Sequence, residues 1–417
     1  MKRIPYINTI GKTAREIITV LTGDVAGKIM TVGAIFILAK YLSVENFGIY
    51  SYLISILSLI GVAINPFSLT YLRDHRFFRF QKYDISYIWL SAVCSIPLFL
   101  LLSRYVYYLP WQICFAFGVN MILLNSGKNY FNIYEKYRNF SVLYFLNEGI
   151  RFAVILFFVF YLKIQRVESL VFWSYSVAAI ALVIFLIFRV NFKEISIRTS
   201  ITNLKNIYGD SIYVMFYYAI IPIIAVIDMY FVKKYLNNYQ LGLYAFALKL
   251  YAVSLIGLNP MLVVFRIKQI DIAREYKFAE YFKKNIRKAF LYASVLYIAS
   301  LGGGITVTYV FFKEYQSSIW ASVILITVSF FSYLFCPFNY LVAFRKYKWM
   351  FINSVIALLL NVIINYFYVP RYGIIAAAAS TFAAVCFNNL AAFVQSIYFS
   401  KRYRQANDSI PSTSRGE

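Results

Sequence analysis

Apolar positions along this chain come in long unbroken runs, separated by short segments rich in charge and turn residues. Phe152 to Leu162 and Ser176 to Phe188 are apolar on every side, with no polar stripe for water to cover. Crossing a bilayer takes about 20 such residues in a helix. Cutting at the charged segments predicts twelve spans, at 17–40, 47–69, 85–103, 107–127, 143–162, 169–188, 211–232, 241–265, 289–312, 318–343, 349–369 and 373–399. The pattern predicts an all-α polytopic membrane protein.

Composition agrees. The chain is 61% hydrophobic and only 14% charged, where a soluble domain needs about a quarter of its residues charged. Charge placement adds an orientation. Of the 41 Lys and Arg, 30 fall in the N-tail, the C-tail and alternate loops, 8 in the other loops, and three inside spans. The positive-inside rule then places both termini in the cytoplasm, together with the basic loop 266–288. The net charge of +24 is assigned to this signal and to anionic headgroups, not to nucleic acid. The apolar stretch after the basic N-tail is too long for a removable signal peptide. Cys94, Cys114, Cys336 and Cys386 lie in apolar runs without CxxC spacing, and His75 stands alone, so no metal site and no cofactor are expected.

One phrase occurs twice. KYLSVENFGIYSY at 40–52 returns as KYLNNYQLGLYAF at 234–246, an offset of 194 residues. Asn65-Pro66 meets Asn259-Pro260 at the same offset. The phrases straddle the turns after spans 1 and 7, an even number of spans apart, so the copies share one orientation in the membrane. That is a parallel duplication about an axis along the membrane normal. It predicts an N-lobe at 1–188, a cytoplasmic linker at 189–210, a C-lobe at 211–400 and a disordered tail at 401–417, with a substrate path between the lobes.

Three stretches carry a family resemblance. AKYLSVENFGIYSYLISI is similar to the helix 1–2 turn of the polysaccharide repeat-unit flippases of the MOP superfamily, which share the fold of MATE exporters. DMYFVKKYLNNYQLGLYAFALKLY resembles their helix 7–8 segment, and VPRYGIIAAAAST their helix 11–12 turn. The first half has no clear counterpart of the last motif around 163–170. The resemblance implies a flippase of the bacterial inner membrane that breaks no bond and so has no catalytic residues. Its substrate would be undecaprenyl-diphosphate-linked oligosaccharide, such as an O-antigen unit in lipopolysaccharide biosynthesis. A polysaccharide polymerase and chain-length machinery would be candidate partners.

Charged side chains in lipid cost about 2.5–3.5 kcal/mol each at a helix centre, so the six inside predicted spans must face protein or water. Asp24 and Lys28 are four apart on span 1, and Glu148 and Arg151 three apart on span 5, so each pair shares a helix face. Mutual neutralisation is one reading of each pair. The other makes Lys28 and Arg151 part of a cationic cavity for the diphosphate and leaves Asp24, Glu148 and Asp228 to couple an ion or pair a charge. Lys249 has no acid near it on its own helix and joins the cationic set. Cap formation or pairing with Lys233 is the ordinary alternative for Asp228. The Asn-Pro pairs Asn65-Pro66 and Asn259-Pro260 predict a bend repeated in both lobes, either a hinge for alternating access or inherited static geometry. Tyr217 and Tyr218 are candidates for stacking on sugar. Gly302-Gly303-Gly304 lacks the Lys-Ser/Thr of a phosphate loop and is read as a flexible or closely packed point in span 9; nothing resembles a nucleotide site.

Two rivals stay open. A multidrug or cation exporter of the same fold would prefer an acidic first lobe, whereas this interior has three basic and three acidic groups, which suits an anionic headgroup better. A membrane polysaccharide polymerase or ligase would be an enzyme with a long outward loop and paired acids, and the predicted outward loops are all short. Lipid II and teichuronic or exopolysaccharide units are equally open as substrates.

Overall fold

A computed structural model describes residues 6–59, 83–84, 110–134, 136–163, 166–196, 201–256, 258, 278–341, 343–344 and 346–408. Predicted span 3 and the two Asn-Pro pairs lie outside them. The described residues are mostly helical, with two-residue strands β1 (Tyr83–Asp84) and β2 (Ile195–Ser196) and short turns between elements. The helices are α1 (Tyr6–Tyr41), α2 (Val44–Leu59), α3 (Trp111–Ile133), α4 (Tyr137–Leu156), α5 (Val167–Arg189) and α6 (Ile201–Tyr235). They continue as α7 (Asn238–Ser254), α8 (Phe278–Phe311), α9 (Ile319–Phe335), α10 (Tyr347–Tyr372) and α11 (Ile374–Asp408). Among the described residues, six helical segments are long and apolar enough to cross a membrane. The chain divides into two compact units, Met1–Ala219 and Ile220–Glu417, and α6 runs through the division.

The repeated phrase is a repeated structure. α1 ends at Tyr41 and α2 begins at Val44; α6 ends at Tyr235 and α7 begins at Asn238, each boundary shifted by the same 194 residues. The chemistry of the turn is repeated too. Ser43 Oγ accepts from the Asn46 N–H at 3.2 Å and Asn237 Oδ1 from the Gln240 N–H at 2.8 Å. Both are side-chain caps for donors that a helix start leaves unpaired. Gly48 and Gly242 are both buried, as are Tyr50 and Tyr244.

The predicted linker is only partly a loop, since α6 has begun by Ile201. Its first residues dock on the first unit. Tyr130 Oη donates to Glu194 Oε2 at 2.5 Å and Lys136 Nζ to the same oxygen at 3.2 Å. Tyr134 Oη donates to the Glu194 carbonyl at 3.1 Å. β2 then pairs in parallel with β1. The Tyr130 hydrogen bond, ahead of the Lys136 ammonium, holds the Glu194 carboxyl below its ordinary range.

Within the first unit, α1 packs along α4 at close range because Gly23 and Gly27, one turn apart, present no side chain there. A Cβ at Gly27 would stand 2.5 Å from the Tyr144 ring. This is the small-residue approach by which membrane helices gain contact without a hydrophobic driving force. It also places Thr31, one turn further on, against Glu148. In the second unit, α10 packs along α11, and α9 against α7 and α11.

Candidate functional site

Among the described residues, each unit holds a buried polar cluster centred on one carboxylate. In the first, Glu148 on α4 is the centre. Arg151 Nη1 donates to its Oε1 at 3.1 Å and its Oε2 at 2.9 Å. Thr31 Oγ1 on α1 donates to Oε2 at 2.8 Å, and Asn147 Nδ2 to Oε1 at 2.8 Å. Asn120 on α3 donates to Asn147 Oδ1 at 2.9 Å, extending the network to a third helix. Arg151 Nη2 donates to Tyr175 Oη on α5 at 2.7 Å, with the guanidinium carbon 4.1 Å from the centre of that ring. Tyr50 is buried within electrostatic range of the same pair. Buried charge is stable only with partners that satisfy it, and here four helices supply them.

In the second unit the centre is Asp228 on α6. It lies seven residues before the helix end and is fully buried, so it is not a cap. Tyr244 Oη on α7 donates to Oδ2 at 2.7 Å, and Thr381 Oγ1 on α11 donates to the same oxygen. Asn361 and Asn365, one turn apart on α10, donate to Oδ1 at 2.8 and 2.6 Å, and Ser380 Oγ at 3.1 Å. Five donors converge on a carboxylate with about four lone-pair directions. The amide oxygens of Asn361 and Asn365 are buried without a hydrogen-bond partner.

That arrangement has a chemical consequence. Rotating both amides by half a turn would exchange Nδ2 for Oδ1. The Asp228 carboxylate, the two amide oxygens and the Ser380 and Thr381 hydroxyls would then form an all-oxygen cage of single negative charge. Such a cage suits a monovalent cation; with the amides so turned, a protonated Asp228 would also have an amide oxygen to donate to. Among the described residues there is no group of three His, Cys, Asp or Glu to hold a multivalent metal.

The remaining sequence candidates are spread more widely. Lys28 is half-buried on α1, three residues before Thr31 and so on the same helix face. The Asp24 side chain lies outside the described residues, as do Asn65, Pro66, Tyr218, Asn259 and Pro260; Tyr217 is half-buried on α6. Lys249 is half-buried on α7, and among the described residues it has no hydrogen-bond or ion-pair partner. The glycine run in α8 is neither a break nor, at its first two positions, a close contact. The helix passes straight through it, a Cβ at Gly302 or Gly303 would meet nothing, and only Gly304 packs, against Ile326 and Leu250.

Reading only charges missed the groups that surround them: Thr31, Asn120, Asn147 and Tyr175 in one unit, and Tyr244, Asn361, Asn365, Ser380 and Thr381 in the other. A signal was present. Asn361 and Asn365 are four apart in an otherwise apolar span, and amides in lipid need partners as charges do.

No family model matches this chain, and no curated protein sequence matches it. Its fold does match solved transporters. A multidrug resistance MATE family transporter of the MOP superfamily, in an inward-facing conformation, superposes with a TM-score of 0.66 at 12% identity, over 93% of this chain and 99% of that one. The lipid II flippase MurJ, in an inward closed conformation, gives 0.64 at 14% identity over 94% and 93%. A MOP superfamily transporter from Pyrococcus furiosus, described as having a binding pocket of reverse polarity, gives 0.62 at 11% identity over 93% and 96%. The chain therefore has the MATE-like fold.

Proposed function

We propose that this protein is a flippase for an anionic lipid-linked oligosaccharide, an undecaprenyl-diphosphate carrying an O-antigen or similar repeat unit. It moves that lipid from the cytoplasmic to the periplasmic leaflet of a bacterial inner membrane, with both termini in the cytoplasm. The observation that carries the reading is a lysine on a membrane helix with no acid beside it. Glu148 is neutralised by Arg151, and Asp228 is enclosed by five donors, whereas Lys249 has no acid beside it among the described residues. A membrane lysine with no acid beside it offers a diphosphate a partner, and the Asp228 charge, held by neutral donors in a separate cluster, is left for a coupling ion. In this reading Lys249 and Lys28 are the phosphate-binding cations and Arg151 braces Glu148. Asp228 takes up the proton or monovalent cation whose gradient gives direction. The likeness in fold to a lipid II flippase supports a lipid-linked substrate.

The test is reconstitution of the purified protein in vesicles with two cargoes, a fluorescent polyprenyl-diphosphate sugar and a cationic dye. Movement of the first and not the second is expected, with Lys249→Gln reducing the rate at unchanged protein level. Dye transport alone would make the protein a multidrug exporter.

A further inference from the structure

The outer face of α8 carries a feature that the transport reading leaves unused. With 34 residues this helix is about 51 Å long, against about 30 Å of hydrocarbon in a bilayer. The excess belongs to its basic end. Lys283, Lys284, Arg287 and Lys288 are all exposed there, spaced so that Lys283 lies one turn below Arg287 and Lys284 one turn below Lys288. Each is a like-charge pair that destabilises a helix. Glu280 is three and four residues from the two lysines, yet among the described residues it forms no ion pair with either. Among the described residues the four cations, on one side of one helix, form no ion pair.

The same side continues into the membrane. From Lys284 and Lys288 it runs through Leu291, Val295 and Ile298 to Gly302, all exposed and following one another at helical spacing. At its far end Ala299, Gly302 and Gly303 are exposed together, and a Cβ at either glycine would meet open space. Glycine in a helix interior is destabilising relative to alanine, and these two gain no close packing in return. They leave a shallow depression about 21 Å along the helix from Lys288. Topology signalling explains the number of basic residues in this loop. It does not require them to share a helix side with an apolar track that ends in a depression.

We propose that this face of α8 is a binding site for an anionic phospholipid of the leaflet at its basic end. Lys284, Arg287 and Lys288 hold the phosphate, with Lys283 beside them, and the acyl chain lies over Leu291, Val295 and Ile298 into the depression at Gly302 and Gly303. Charge complementarity selects the anionic headgroup; the smooth, apolar continuation selects a lipid over a free phosphate. The site is distinct from the transported cargo and does not depend on the flippase reading.

Native mass spectrometry of the full chain tests it, with the protein released from vesicles of equimolar phosphatidylglycerol and phosphatidylcholine. Wild type should retain phosphatidylglycerol preferentially, and Lys284→Gln/Lys288→Gln should reduce that preference at least about five-fold. Gly302→Leu/Gly303→Leu should weaken retention of the lipid while leaving the helix, if anything, more stable, which guards against a folding artefact. No preference in wild type, or an unchanged preference in the lysine variant, would overturn the site. So would displacement by a soluble polyprenyl-diphosphate analogue but not by short-chain phosphatidylglycerol, since the face would then belong to the cargo.

Discussion

Replacing Arg151 by Met should cost far more than replacing the whole Glu148–Arg151 pair. The side chains are 8% and 14% exposed respectively, so the ion pair is a buried one. Removing one member of a buried pair costs about 3–5 kcal/mol, because the other charge is left without compensation. In Arg151→Met the stranded carboxylate keeps its donors from Thr31 and Asn147, which points to the lower end, about 3 kcal/mol. Glu148→Gln strands the guanidinium, which keeps the Tyr175 hydroxyl and ring, and about 2 kcal/mol is expected. Glu148→Gln/Arg151→Met buries no charge and loses chiefly neutral hydrogen bonds, about 1–2 kcal/mol. The double variant should therefore be more stable than either single one, with a coupling of about 3 kcal/mol or more. Detergent-denaturation midpoints in mixed micelles, read by fluorescence from Trp173 with the other tryptophans replaced by Phe, give the order directly. Additive costs, with the double variant least stable, would refute the argument that Arg151 is there to compensate Glu148.

Other outcomes follow from the same geometry. Gly27→Leu should force α1 away from α4 and cost about 1–3 kcal/mol by overpacking; Lys28 and Thr31 would be displaced with it, and transport in reconstituted vesicles should fall in step. Asn365→Leu withdraws a 2.6 Å donor from buried Asp228 and should cost about 1–3 kcal/mol, read as a lower thermal midpoint. Asp228→Asn should abolish the dependence of transport on an ion gradient, read as transport per inserted protein, since the amide also turns donors toward donors and lowers stability. For Glu194 the folded-state carboxyl titrates below its ordinary 4.5, so its hold on the linker is complete at neutral pH and is lost as pH falls through that lowered value. Hydrogen exchange at 190–196 should show this, with Glu194→Gln reproducing the released state at neutral pH.

The sequence made the duplication legible to the residue, because a turn between two membrane helices has strict local chemistry. The cap residue, the buried glycine and the buried tyrosine all recur at one offset. Helix ends were legible only on one side. α1, α4, α6, α8 and α11 each extend beyond the predicted span at the basic end, since hydropathy stops where hydrocarbon stops but helical hydrogen bonding continues among the headgroups. The buried charges were found, but their roles were hidden. Asp228 looks terminal in a hydropathy plot, yet its partners come from three other helices, and that convergence is tertiary information. Glu148 and Arg151 were visible as neighbours, whereas the Thr31 contact depends on how closely Gly27 lets α1 approach.

The most direct measurement of the central claim is made in the cell. The gene is deleted in its host, and radiolabelled undecaprenyl-diphosphate sugars are followed by composition and by the membrane face they occupy. The flippase account predicts complete repeat units accumulating on the cytoplasmic face, with loss of surface polymer. Single units reaching the outer face without growing into chains would instead place the defect in polymerisation and contradict it.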